Sequence, residues 1–329
     1  YINELAGLMN ANQVCVEHRY FGKSVPTSRE WDFLTIENAA TDYHQIIQLL
    51  SEIYPGKWIS TGISKGGQTT IFHRFFYPED VEASVAFVAP VNFSPEDKRV
   101  YRFLSKVGDS VSRQRVYQFQ YELLKNKKRY LPEFQNLADK KKLTYQMGIL
   151  EAYELTVLEY AFAFWQWGVT PVDSIPSVPK SPEFMVKHLH QVADIEWVSN
   201  EGTKRMLPFF VQAMKEIGFY GYDIKPFKDV ISFRQNPVFT FTIPPELEIN
   251  YNPEPMKKVD HFIRHEAQQM IFIYGSCDPW TATTAEITYN KPTVLKFIKP
   301  DGSHMTRIRN LSESQKDKVL STLKEWIGD

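Results

Sequence analysis

The run Trp58-Ile59-Ser60-Thr61-Gly62-Ile63-Ser64-Lys65-Gly66-Gly67-Gln68-Thr69-Thr70-Ile71-Phe72 passes from a short apolar segment to a helical one through a serine set among glycines. A strand, a sharp turn and a helix around G-x-S-x-G form a nucleophile elbow, which presents a serine hydroxyl from strained backbone at the carboxyl end of a sheet. Glycine is expected at positions 62 and 66 because neighbouring chain passes close enough for a Cβ at either to clash. The same letters also suit a glycine-rich turn with a surface serine; the flanking strand and helix favour the elbow. Ser64 is therefore the candidate nucleophile.

Outward from this point, residues 12–19 read as a short buried strand and 37–54 as an amphipathic helix, with Ala40, Tyr43, Ile47 and Leu50 at helical spacing. Residues 58–63 and 81–91 are strand candidates on either side of the helix 66–76. From 94 to 262 this alternation stops. The sequence there is charged, aromatic and mostly helix-like, broken by a loop holding Pro171, Pro176, Pro179 and Pro182. Strand character returns at 270–274 and 293–298, and an amphipathic helix over 312–327 closes the chain. The expected organisation is an α/β core in two parts, 1–93 and 263–329, around a helical insertion, 94–262.

A serine hydroxyl attacks a carbonyl only with a base to take its proton and a carboxylate to orient that base. In sheets built around such an elbow the chain order is serine, acid, histidine. Asp278, in Tyr274-Gly275-Ser276-Cys277-Asp278-Pro279-Trp280, follows a strand candidate, and His304, in Asp301-Gly302-Ser303-His304-Met305, follows the last one. Asp278 also suits a helix N-cap before Pro279, and His304 an ordinary loop histidine. His18, His44, His73, His188, His190, His261 and His265 fall on helical segments, in the insertion or at the exit of the first strand candidate, where packed or solvated roles are expected. The backbone N–H of Lys65 is the nameable donor of an oxyanion hole. The spacing of 214 positions from Ser64 to Asp278 far exceeds what βαβ units require. The excess is expected to form a cap that shields the serine from water and selects substrates.

Composition narrows the function classes. The 329 residues are 43% hydrophobic and 14% aromatic, which supports a sizeable core, and the net charge of −1 gives no overall attraction to nucleic acid or anionic membrane. Residues 97–142 do carry a net +8, but the interleaved Tyr101, Phe103, Tyr117, Phe119 and Tyr121 recur at helical spacing, as a packed face with a solvated basic one opposite. Two cysteines, Cys15 and Cys277, are too few for a disulfide framework, though one bridge is compatible. The richest apolar stretch, 160–167, is too short for a bilayer span. In the insertion, Glu159 lies in an aromatic helix, where a buried carboxylate needs a cation or hydrogen bonds. That cation is either an internal Lys or Arg or the free α-amino group of a peptide, which Glu216 would help to hold.

Taken together, Val16-Glu17-His18-Arg19-Tyr20-Phe21-Gly22-Lys23-Ser24-Val25-Pro26, Thr61-Gly62-Ile63-Ser64-Lys65-Gly66-Gly67, Asp278-Pro279-Trp280 and Gly302-Ser303-His304 resemble the secreted bacterial prolyl tri- and tetrapeptidyl aminopeptidases, and more distantly lysosomal prolyl carboxypeptidase and dipeptidyl peptidase II. The likeness extends to Ala163-Phe164-Trp165-Gln166 and Gly221-Tyr222-Asp223 in the insertion. It implies an α/β-hydrolase core with a helical cap, Ser64 as nucleophile, Asp278 as orienter, His304 as base, and removal of short peptides ending in proline from free amino termini. No metal or organic cofactor is called for, and a secreted or periplasmic setting is implied. Glu159 and Glu216 would hold the amino terminus at a fixed distance from Ser64, while aromatic walls including Trp165 and Trp280 accept the proline ring. Such a core has several strands before residue 12, so the opening at Tyr1 is expected to reflect a truncation that removed them, the second oxyanion donor and an export signal. The rival readings are a carboxylic-ester hydrolase with the same triad and an inactive peptide-binding relative.

Overall fold

The computed structural model describes residues 2–28, 30–288 and 292–328. In chain order its elements are α1 (Glu4–Leu8), α2 (Ile36–Ser51), β1 (Ile59–Ile63), α3 (Lys65–Phe76), β2 (Ala83–Phe87), then α4 (Arg99–Leu104), α5 (Ser110–Lys125), α6 (Lys127–Lys141), α7 (Ile149–Trp167), α8 (Pro182–Val192), α9 (Asn200–Gln212), and finally α10 (Glu254–His265), β3 (Met270–Gly275), β4 (Val294–Lys299) and α11 (Glu313–Ile327). The chain packs as two compact units: residues up to Phe93 together with those from Asn252 onward, and Ser94–Tyr251.

In the first unit the four strands form one parallel sheet in the order β1-β2-β3-β4. Side chains alternate across it, as a pleated strand dictates. Val85, Phe87, Ile271 and Ile273 join Val319 and Leu323 of α11 and Leu5 of α1 in one core cluster. From the opposite face Ser84 accepts a hydrogen bond from Arg74 of α3 (2.9 Å). With α3 on β1 and β2, and α2 and α10 on α3, the sheet is covered on both sides. Parallel strands require that cover because both faces are apolar.

Local chemistry sets the helix ends. The Thr35 hydroxyl accepts the Asn38 N–H at the start of α2. Ser312 and Gln315 form a reciprocal capping box on α11, which stops at Gly328 in the left-handed region.

Two sequence expectations are corrected. Residues 12–19 are not a strand: they run as irregular, largely exposed chain, and Val14 is exposed. A strand exists only through a ladder with a neighbour, and among the described residues none pairs with this segment, whatever its apolar content. The second is the end of the insertion, expected at 262, which falls inside α10. Phe262 instead stacks edge-on against Phe75 of α3, so this helix belongs to the first unit and the division falls at 251/252 rather than 262.

The second unit is helical. Its core is rich in rings, with Phe119, Tyr130, Phe134, Tyr153, Tyr160, Phe162, Phe210 and Phe239 almost wholly buried. A buried Glu154 pairs with the half-buried Lys127 and also accepts from Ser232, which fixes the start of α6 to α7. Among the described residues no helix is long and apolar enough to cross a membrane. Both cysteines are free thiols.

Candidate active site

Ser64 stands between β1 and α3 with φ 56° and ψ −117°, strained for a residue with a Cβ. The strain is held from both directions. The Ser64 N–H donates to the Phe87 carbonyl at the end of β2 (2.8 Å), and its own carbonyl accepts the Gln68 N–H in the first turn of α3 (2.9 Å).

The glycines around Ser64 divide their work differently from the sequence expectation. A Cβ on Gly62 would collide with the backbone of Gly66, so position 62 is sterically closed. A Cβ on Gly66 would meet nothing within 4 Å, because the side-chain direction at 66 leads away from the crossing that its backbone makes. The second closed position is Gly67, where a Cβ would lie 2.8 Å from the Ala89 Cβ and 2.9 Å from the Phe87 carbonyl oxygen.

Asp278 and His304 come from the loops after β3 and β4, at the same end of the parallel sheet as Ser64. These loops are fastened to each other by their backbones. The Cys277 N–H donates to the Gly302 carbonyl (2.8 Å), and the Asp301 N–H donates to the Ser276 hydroxyl (2.8 Å). Gly275 and Gly302 permit the approach: a Cβ on Gly302 would sit 2.9 Å from the Gly275 Cα. The result is a buried pair, with His304 Nδ1 2.7 Å from Asp278 Oδ2.

Asp278 makes both of the contacts that the sequence left open. Oδ2 faces the imidazole, while Oδ1 accepts the Trp280 N–H (3.2 Å) and caps the 3-10 helix Pro279–Thr283. Burial pushes this carboxyl above the usual carboxylate range, and the imidazole, the Trp280 N–H and the Arg307 charge oppose that rise. Among the three triad candidates the structure thus brings Asp278 and His304 into contact and places Ser64 in the strained turn of the same unit.

Lys65 opens α3, which sets its N–H at the positive end of a helix. Its ammonium lies 3.4 Å from His18 Nε2. Burial is the main cause holding the His18 pKa down at about 3, followed by the Lys65 charge, so the ring is neutral; its Nδ1–H donates to the Arg19 carbonyl (2.8 Å) and Nε2 accepts from Lys65. Sequence reasoning missed this contact, since nothing in the spacing links residues 18 and 65.

The other proposed side chains have different surroundings. Trp280 is buried in the turn that Asp278 caps. In the second unit, Trp165 packs its ring over Gly108, whose φ of +61° and missing Cβ make the room. Glu159 is buried without a Lys or Arg partner among the described residues; its Oε2 accepts hydrogen bonds from the Tyr220 and Tyr222 hydroxyls, 2.8 Å each. Burial raises its pKa from 4.5 to about 7 although both phenols favour the charged form. Glu216 sits in a π-helical turn, Ala213–Ile217, and accepts from Gln212 Nε2 (3.3 Å). The sequence located Tyr220 and Tyr222 beside Glu216; only the fold turns them onto Glu159.

The profile of the PS-10 peptidase S37 family matches residues 2–329. A prolyl tri/tetrapeptidyl aminopeptidase of Streptomyces mobaraensis is 27% identical over 99% of this chain and 70% of its own length. Lysosomal Pro-X carboxypeptidases are similar over a shorter stretch: the Bos taurus protein is 35% identical and the Homo sapiens protein 34%, each over 27% of this chain and 20% of theirs.

Proposed function

Since this chain belongs to the PS-10 peptidase S37 family, and is thereby a serine peptidase, we propose that it releases short peptides ending in proline from free amino termini, with Ser64, His304 and Asp278 as its catalytic triad. The observation that carries the assignment is the buried contact of His304 Nδ1 with Asp278 in the unit that holds the strained Ser64. With Nδ1–H committed to the carboxylate, the neutral imidazole has its lone pair on Nε2, the tautomer a general base requires. His304 takes the Ser64 proton as the hydroxyl oxygen attacks the carbonyl of proline, and returns it to the departing amine. The acyl-enzyme is then hydrolysed by water activated in the same way. The Lys65 N–H, at the positive end of α3, stabilises the oxyanion.

Glu159 is the proposed acceptor for the substrate's α-amino group, with Glu216 as a second carboxylate. A buried carboxyl with two phenol donors and no cation has one unmet electrostatic need, which an ammonium answers. The name of the Streptomyces relative supports tri- or tetrapeptides as the released length. The test is hydrolysis of an Ala-Ala-Pro chromogenic amide beside its amino-acetylated form, with Ser64→Ala as the control. Turnover of the free form alone is expected. Equal turnover of both defeats the amino anchor, and ester cleavage without amide cleavage defeats the peptidase assignment.

A further inference from the structure

The geometry points to Arg307 as a positioning residue for this reaction: its guanidinium fixes the loop that carries His304 and lies over the Phe87 ring. This inference rests on the triad proposed above. His304 is anchored on its amino-terminal side by the Gly302–Gly275 crossing and the Cys277 N–H bond to the Gly302 carbonyl. Among the described residues the carboxyl-terminal side has no such backbone crossing to β3. There Arg307 Nη1 donates to the His304 carbonyl (3.0 Å) and to the Thr306 carbonyl (2.7 Å), drawing both into one turn.

The guanidinium lies over the Phe87 ring, 5.9 Å from its centroid, and the Phe87 carbonyl is the acceptor that holds the Ser64 N–H. One side chain therefore ties the base's main chain to the residue that holds the nucleophile's. Arg307 is itself held, since it stands at the N-cap position of the short helix Ile308–Asn310 and its N–H donates to Asn310 Oδ1 (2.8 Å).

Among the described residues, the titratable and charged groups that act on Asp278 include His304, Arg307 and the Tyr274 phenol. Of these Arg307 is the permanent cation. Its loss leaves burial less opposed, so Asp278 holds its proton to higher pH. Protonated Asp278 no longer fixes the base tautomer, and the acid limb of the activity profile rises with it.

The experiment compares Arg307→Met and Arg307→Lys with wild type in kcat and KM for the free Ala-Ala-Pro amide, in the pH profile of kcat/KM, and in labelling by a fluorophosphonate probe. For Arg307→Met the expected result is kcat lower on the order of 10²-fold, the loss that a roughly 1 Å misplacement causes. KM should stay within about threefold, since a positioning defect acts on the transition state rather than on ground-state binding. The acid limb moves to higher pH, and Arg307→Lys restores the limb more fully than kcat. A purely structural arginine would instead lower Tm and leave kcat and the limb of the folded fraction unmoved, which overturns the proposal. If Arg307→Met does not fold, the Lys variant and the downfield proton signal of the His304 Nδ1–H decide: an unmoved signal with wild-type kcat overturns it. A wild-type protein that takes no label at Ser64 overturns the triad and this inference together, whereas a labelled wild type with an unmoved Arg307→Met overturns this inference alone.

Discussion

Replacing Glu159 by Gln tests the central electrostatic feature of the helical unit. The carboxyl is buried, receives two phenol hydrogen bonds and titrates at about 7 in the fold against 4.5 ordinarily. At about 1.36 kcal/mol per pH unit of displacement, that difference amounts to roughly 3 kcal/mol. The sign follows from proton uptake. Between pH 4.5 and 7 the folded chain holds a proton that the unfolded chain has released, so stability falls as pH rises across this window. The contribution is fully present below 4.5 and lost once the pH passes about 7. Glutamine keeps an oxygen for the two phenols and does not titrate. Glu159→Gln is therefore expected to gain on wild type by roughly 3 kcal/mol between pH 4.5 and 8, or about 6–12 °C in Tm for a unit of this size. Thermal melts of both proteins across that range, in constant ionic strength, measure the gap. A gap that stays level from pH 4.5 to 8 refutes the assignment of a neutralised, cation-free carboxyl. If Glu159 also receives the substrate's amino group, the same variant, however stable, should lose preference for free over acetylated peptides.

The steric reading of the elbow separates two glycines that look alike in sequence. Gly62→Ala should misfold or lose activity, because its Cβ meets the Gly66 backbone. Gly66→Ala should be tolerated, with a gain of up to about 1 kcal/mol from helix propensity seen in denaturant melts. Asp278→Asn should cut kcat by about 10⁴-fold with little change in fold, since the amide cannot hold the productive imidazole tautomer; near-wild-type kcat would remove Asp278 from the triad. Lys127→Met strips the cation from a fully buried Glu154 and should destabilise the helical unit by about 3–5 kcal/mol. Losing less than about 1 kcal/mol would mean that Ser232 alone satisfies that carboxylate.

The sequence by itself determined the local half of the architecture. Periodicity placed α2, α3, α11 and the four strands close to their observed bounds, because hydrophobic spacing and capping act within a few residues. It also singled out Ser64, Asp278 and His304 from the order of strand ends. Residues 12–19 failed because strand pairing depends on a neighbour, and the insertion was ended at 262, inside α10, because the amphipathic face of that helix is silent about which surface it meets.

Tertiary structure alone decided which glycine is sterically closed, which tyrosines reach Glu159, and that Arg307 bridges the base loop to Phe87. Those facts depend on distances between segments far apart in the chain. Backbone crossings, buried charges and hydrogen-bond partners form only when such segments pack, and the order of residues carries no local trace of them.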